Sequence, residues 1–318
     1  MINKPTVFMY SGQGSQYFGM GKELFETNPR FRYWMEYCDD IAFPFLPSSL
    51  IEQLYFSNKT RGELFDDIVF TNPALLCIEY CLTQLLLERD IHPDYLLGYS
   101  LGEFTAAVVS GAMSLDEGIQ FSIAYAKLLQ AKTPPAAMLA VIDSVSLLDN
   151  QPQIFQGCTL AGKNFNKNFV VTGLEKDIRF TQQLLSQRDV IHQRLPVNYG
   201  FHTTIIDPIE FEFKQLINDI NLCSPKIKII SSLLAQPVNH FDADYLWRVT
   251  QQPVIFEKTI QTLLQQGDFN FIDVGPSGTL ATFVKYILPG EHSSHHLEVM
   301  NQFGKNNQSL EKVFTFFN

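Results

Sequence analysis

The chain predicts an α/β fold with a smaller α+β unit inserted into it, and three observations carry that reading. Apolar runs of strand length alternate with longer stretches of helical periodicity. The runs at Thr6–Tyr10, Tyr95–Gly98 and Asn270–Val274 each close on a glycine-containing turn, where α/β sheets place their ligand sites. Between Pro134-Pro135 and Pro196 the pattern changes to short strands around one helix.

In chain order, Thr6–Tyr10 reads as a buried strand running into Ser11-Gly12-Gln13-Gly14-Ser15. Pro73–Leu87 is an apolar helical run. Tyr95–Gly98 is a second strand, followed by a helix over Leu101–Ser110. Met138–Ile142, Phe169–Thr172 and Val190–Leu195 are strands of the inserted unit, with a helix over Leu174–Gln187 between the last two. The insert is placed at 134–196, so the large domain comprises 1–133 and 197–318. Asn270–Val274 is a third strand of the large domain, and His292, His295 and His296 fall in a polar loop.

Composition excludes several classes. A net charge of −10 argues against an electrostatic nucleic-acid binder, which needs clustered Lys and Arg. Of the five cysteines, Cys77 and Cys81 lie four apart in an apolar helical run and read as buried small side chains, so no metal site is expected. Thr6–Tyr10 is too short for the core of a signal peptide, and no segment is read as membrane-spanning. A cytoplasmic protein with no membrane or nucleic-acid partner is the expectation.

Gly98-Tyr99-Ser100-Leu101-Gly102 is a G-x-S-x-G between a strand and a helix, the context of a nucleophile elbow. Flanking glycines permit the tight turn that lifts the serine oxygen from the sheet at a helix N-terminus. Serine at its own pKa is a poor nucleophile and needs a base. Seven histidines are available. His202 follows a strand-like run and a glycine-containing turn, an active-site position that favours it; the residues alone leave the others open. A tetrahedral intermediate needs two convergent N–H donors. Leu101, after the nucleophile, offers one and Gln13, in the first glycine-rich turn, the other. That turn is not a dinucleotide fingerprint, because Tyr17 occupies the third glycine position of G-x-G-x-x-G.

These residues carry a resemblance. Ser11–Gln16 with Gly19-Met20-Gly21, Thr71–Leu75, Gly98–Glu103, Tyr199–His202, Pro253-Val254 and Val274–Pro276 follow the order of the acyl-carrier-protein transacylase family. That family comprises malonyl-CoA transacylases and polyketide-synthase acyltransferases. Asn164 and Phe169–Gly173 are similar to its inserted-subdomain signature. The resemblance covers nearly the whole chain. It implies an α/β-hydrolase-like large domain with a small ferredoxin-like insert and an active site between them. Ser100 would form an acyl-enzyme with His202 as base and then acid, and the N–H groups of Gln13 and Leu101 would form the oxyanion hole. A main-chain carbonyl near Val249 would orient the histidine. No cofactor is held permanently; a phosphopantetheine arm arrives on the acyl carrier protein. Tyr99, Tyr125, Phe201 and Asn164 would line the acyl pocket.

Two positions depart from the family pattern. Most relatives have histidine where this chain has Tyr99. Relatives that load malonyl groups hold the carboxylate with an arginine where this chain has Tyr125. Leaving a buried carboxylate without its partner costs about 3–5 kcal/mol. Such a pocket implies uncharged acyl groups, and the chain resembles the discrete acyl hydrolases of trans-acyltransferase polyketide pathways, which edit stalled acyl-carrier thioesters. The alternatives are a stand-alone acyltransferase acting on malonyl-CoA or an uncharged acyl donor, and a non-catalytic carrier-binding relative. A lipase-type esterase would want an acid and a late histidine.

Overall fold

The computed structural model describes residues 4–238 and 240–318. Among the described residues, ten strands form two sheets: β1 (Thr6–Tyr10), β2 (Tyr95–Gly98), β3 (Ala136–Val141), β4 (Cys158–Phe165), β5 (Asn168–Leu174), β6 (His192–Arg194), β7 (Lys228–Ser231), β8 (Gln236–Pro237), β9 (Asn270–Asp273) and β10 (His295–Glu298). The larger sheet has the order β10-β9-β1-β2-β7-β8, parallel except for β8. Its centre is apolar on both faces, as a parallel sheet covered by helices requires. Within β1, Val7 and Met9 join Phe256, Ile260 and Leu280 on one side, while Phe8 and Tyr10 join the main core on the other.

The smaller sheet is antiparallel with the order β4-β5-β3-β6. With the helix Glu175–Ser186 before β6 and short helical turns between β3 and β4, it makes the ferredoxin-like βαββαβ arrangement. Alternation of side chains divides this sheet. Ala137, Leu139 and Val141 pack with Ile178 and Leu185 of that helix, whereas Met138 and Val170 belong to the main core and face the large domain. The two units are stitched at β4: Lys163 N–H donates to Val254 O (2.9 Å), Val254 N–H donates to Ala161 O (2.9 Å), and Lys163 pairs with Glu257 at 2.6 Å.

Three sequence expectations change. His295 and His296 belong to β10, an edge strand pairing with β9 through its backbone, not to a polar loop. Its polar composition hides it, because an edge strand needs little apolar surface. Strands β4, β7 and β8 were not anticipated; β4 carries two register irregularities that break its alternation. The helix containing Pro73 begins earlier, at Ile68, where the Asp67 side chain accepts from Val69 N–H at 3.1 Å. At 20 residues, Ile68–Leu87 is long and apolar enough to cross a membrane, and 89% of its apolar window is buried inside the protein. It is a core helix packed against the helix Leu115–Lys132.

Candidate active site

Ser100 lies one residue past β2, after Tyr99, and precedes the helix Gly102–Val109. Its φ of 55° is left-handed, and the turn around it leaves no room for side chains. A Cβ on Gly98 would lie 2.3 Å from the Glu103 backbone, and one on Gly102 would lie 2.1 Å from Tyr10 O. The two glycines let the helix close onto the ends of β1 and β2, which points the Ser100 hydroxyl off the sheet.

His202 meets it. Ser100 Oγ and His202 Nε2 are 2.8 Å apart, and His202 Nδ1 lies 2.8 Å from Gln252 O. A carbonyl only accepts, so Nδ1 carries the proton and Nε2 presents its lone pair to the serine hydroxyl. Burial lowers the imidazole to about 4, partly offset by the Gln252 carbonyl, so the ring is neutral at pH 7. His202 is also held through its own backbone, whose N–H donates to Thr250 O at 2.8 Å. The orienting carbonyl therefore belongs to Gln252, not Val249. Val249 lies inside the helix Ala243–Gln251, whereas Gln252 caps it with extended backbone (φ −98°, ψ 154°) that turns its carbonyl away from the helix.

The N–H groups of Gln13 and Leu101 meet no protein acceptor among the described residues, and both residues line a cavity with Ser100. The Gln13 side chain is fixed from the start of the helix Ile68–Leu87, donating to Thr71 Oγ1 at 3.0 Å and to Asn72 Oδ1. This gives the Thr71-Asn72 pair a place at the site that sequence reasoning did not assign. The arrangement can hold a nucleophile, a neutral base and two donors around one carbonyl carbon.

Ser100 borders two small cavities. The inner one has a volume of about 10 Å³, room for about one water centre, and is walled by Asn72, Phe104, Tyr125, Phe201 and Thr250 beside Gln13 and Leu101. The outer one, about 30 Å³, is faced by Tyr99, His202 and apolar side chains of the subdomain, Met138, Ala161 and Val170. No Lys or Arg lines either. Lys127, two residues beyond Tyr125, donates at the surface to Phe45 O at 2.7 Å.

Asn164 lines neither cavity, contrary to expectation. Its amide is consumed as a bridge: Tyr99 Oη donates to Asn164 Oδ1 (2.7 Å), and Asn164 Nδ2 donates to Asn168 Oδ1 (2.6 Å). Thr250, Phe104 and Met138 are wall residues that no local motif marks. Three carboxyl groups near the strand ends are also buried, and of these only Glu103 falls in a motif of the sequence. Glu79 accepts from Ser11 N–H (2.6 Å) and Thr105 Oγ1 (2.7 Å), Glu103 accepts from Ser232 N–H (3.0 Å), and Asp273 accepts from Gly275 N–H (2.8 Å). Burial raises Glu79 to about 8 and the other two to about 7. They tie down the loops at the strand ends and none meets His202.

A serine on a tight strand–helix turn, paired with histidine in a cleft roofed by a ferredoxin-like subdomain, defines a class of acyl-transfer proteins. Residues 7–317 match the acyl transferase domain, and the chain belongs to that family. It is 38% identical over 315 residues to the polyketide biosynthesis acyltransferase homolog PksD of Bacillus subtilis (strain 168), covering 99% of this chain and 97% of that protein. It is 34% identical over 312 residues to the homolog BaeD of Bacillus velezensis, covering 98% and 96%. The acyltransferase domain from the second module of the salinomycin polyketide synthase aligns with a TM-score of 0.84 at 26% identity, covering 98% of this chain and 72% of that one. The loading acyltransferase from the avermectin modular polyketide synthase has the same fold, with a TM-score of 0.89 at 23% identity, covering 98% and 100%.

Proposed function

We propose that this protein is an acyl hydrolase of polyketide biosynthesis that removes small uncharged acyl groups from acyl-carrier-protein thioesters. The observation that carries the reading is the uncharged inner cavity behind Ser100, closed by Tyr125. A carboxylate there would have no cation to meet, at a cost of about 3–5 kcal/mol. Serine attack forms the Oγ–acyl bond as the C–S bond breaks, and His202 carries the serine proton to the departing pantetheine sulfur. Water then attacks the ester carbon and loses its proton to His202, which returns one to Ser100 Oγ. The product is a free acid.

The second reading is transfer, supported by the names of the relatives, which are acyltransferase homologs. The acyl-enzyme is common to both; only the second nucleophile differs. Incubation with acetyl-, butyryl- and malonyl-carrier thioesters, with and without a second carrier, followed by intact mass, separates them. Release of acetate or butyrate, abolished in Ser100→Ala, is expected. Malonyl loading of Ser100 with delivery to the second carrier would overturn the hydrolase reading, and no acylation by any thioester would leave a carrier-binding relative.

A further inference from the structure

Tyr125 Oη is buried and has no hydrogen-bond partner, one of three such side-chain atoms among the described residues. The other two, on Tyr55 and Asn270, line none of the cavities beside Ser100. A buried hydroxyl without a partner is costly and calls for an explanation.

The ring cannot turn to find a partner elsewhere. Phe121 stacks on it at 5.8 Å between centroids, and Phe213 meets it edge-on at 5.0 Å. Phe201 and Phe104 close two more sides at 6.3 and 6.5 Å. Its polar neighbours on the cavity wall do not meet it with hydrogen-bond geometry. Thr250 Oγ1 lies close to Oη without hydrogen-bond geometry and donates to Trp247 O at 2.8 Å. The Asn72 amide donates to Ser122 O (3.3 Å) and accepts from Gln13 Nε2. Tyr125, a wall residue of the inner cavity, thus holds its O–H rigidly and without a protein partner. An alkyl carbon seated in this water-sized space shuts water out and leaves that donor unpaired. An acyl oxygen would satisfy it.

We infer that the inner cavity selects short acyl groups bearing a hydroxyl or keto oxygen near the thioester carbonyl, with Tyr125 Oη donating a hydrogen bond to that oxygen. This rests on the acyl-enzyme reading above and narrows it: uncharged is necessary, but a plain alkyl chain is the poorer substrate. The discrimination expected from one buried donor, paired or unpaired, is about ten- to a hundredfold in kcat/KM.

The test compares 3-hydroxybutyryl-, 3-oxobutyryl- and butyryl-carrier thioesters as substrates for the full chain and for Tyr125→Phe, reading kcat/KM and acylation of Ser100 by intact mass. The wild type should favour the oxygenated groups at least tenfold, and Tyr125→Phe should bring the ratio near one. The wild-type ratio by itself already tests the inference if the variant folds poorly. Equal handling of all three by the wild type, with Ser100 acylated, overturns the inference and leaves the acyl-enzyme reading standing. A preference that survives in Tyr125→Phe also overturns it, because the selecting group then lies elsewhere. No acylation of Ser100 by any thioester overturns both.

Discussion

Ser100 and His202 share more than their 2.8 Å hydrogen bond: both occupy left-handed backbone, with φ of 55° and 64°. For residues other than glycine this conformation costs about 1–3 kcal/mol each and persists only where the surroundings over-determine it. Here the close approach of Gly98 and Gly102 to their neighbours holds the serine, and the Thr250 carbonyl holds the histidine backbone. The strain of each residue aims its side chain at the other.

The pH dependence should follow from a buried, neutral His202. With its imidazole lowered to about 4, kcat/KM should stay level from neutral pH down to about 5 and fall as the ring protonates. An acid limb centred near 6.5 would mean that the histidine is solvated. For stability the sign is the same: His202 contributes above its unfolded value of 6.5 and loses that contribution as pH falls through about 4. Glu79 acts oppositely. Its contribution is full below 4.5 and is lost as pH rises through about 8, so far-ultraviolet melts should show stability declining towards alkaline pH.

Replacing Tyr125 by arginine should raise malonyl acceptance relative to acetyl and weaken the fold. The new cation would sit among Phe104, Phe121, Phe201 and Phe213 with no carboxylate on the cavity wall. An unpaired buried charge costs about 3–5 kcal/mol, which a bound malonyl group would offset. Competition between malonyl- and acetyl-carrier thioesters, alongside denaturant unfolding, checks both halves. An unchanged loading ratio in a folded variant would show that charge at this position does not set selectivity.

Tyr99 should matter through Asn164 more than through substrate. Tyr99→Phe leaves Asn164 Oδ1 without its buried donor and should cost about 1–3 kcal/mol of stability. In a double-mutant cycle with Asn164→Ala, the second change should cost much less once the first is made. Strict additivity in urea unfolding would deny that this hydrogen bond links the elbow to the subdomain.

Much of the site was legible because its parts are local. The glycines around Ser100 are dictated by backbone clearances of under 3 Å, so they appear in sequence as a fixed spacing. His202 follows its own glycine-containing turn, and the strands β1, β2 and β9 announce themselves as apolar runs. Strand β10 was not legible, since His295-His296-Leu297-Glu298 pairs at an edge by backbone bonds that carry no side-chain signature. The histidine-orienting carbonyl was misplaced by three residues, from Gln252 to Val249, because a carbonyl belongs to every residue and only the helix end decides which one is turned outward.

By itself the sequence determined the acyl transferase family, the serine and histidine that meet, and the absence of an arginine at Tyr125. Those depend on residue identity and short spacing. What walls the cavities beside Ser100 was decided only by tertiary structure. Asn164 turned from pocket wall to anchor, and Thr250 and Met138 entered the walls from opposite domains. Tyr125, read as a lost charge, became a caged hydroxyl without a partner. Whether a buried polar atom is satisfied depends on which distant chains close around it, and no local pattern encodes that.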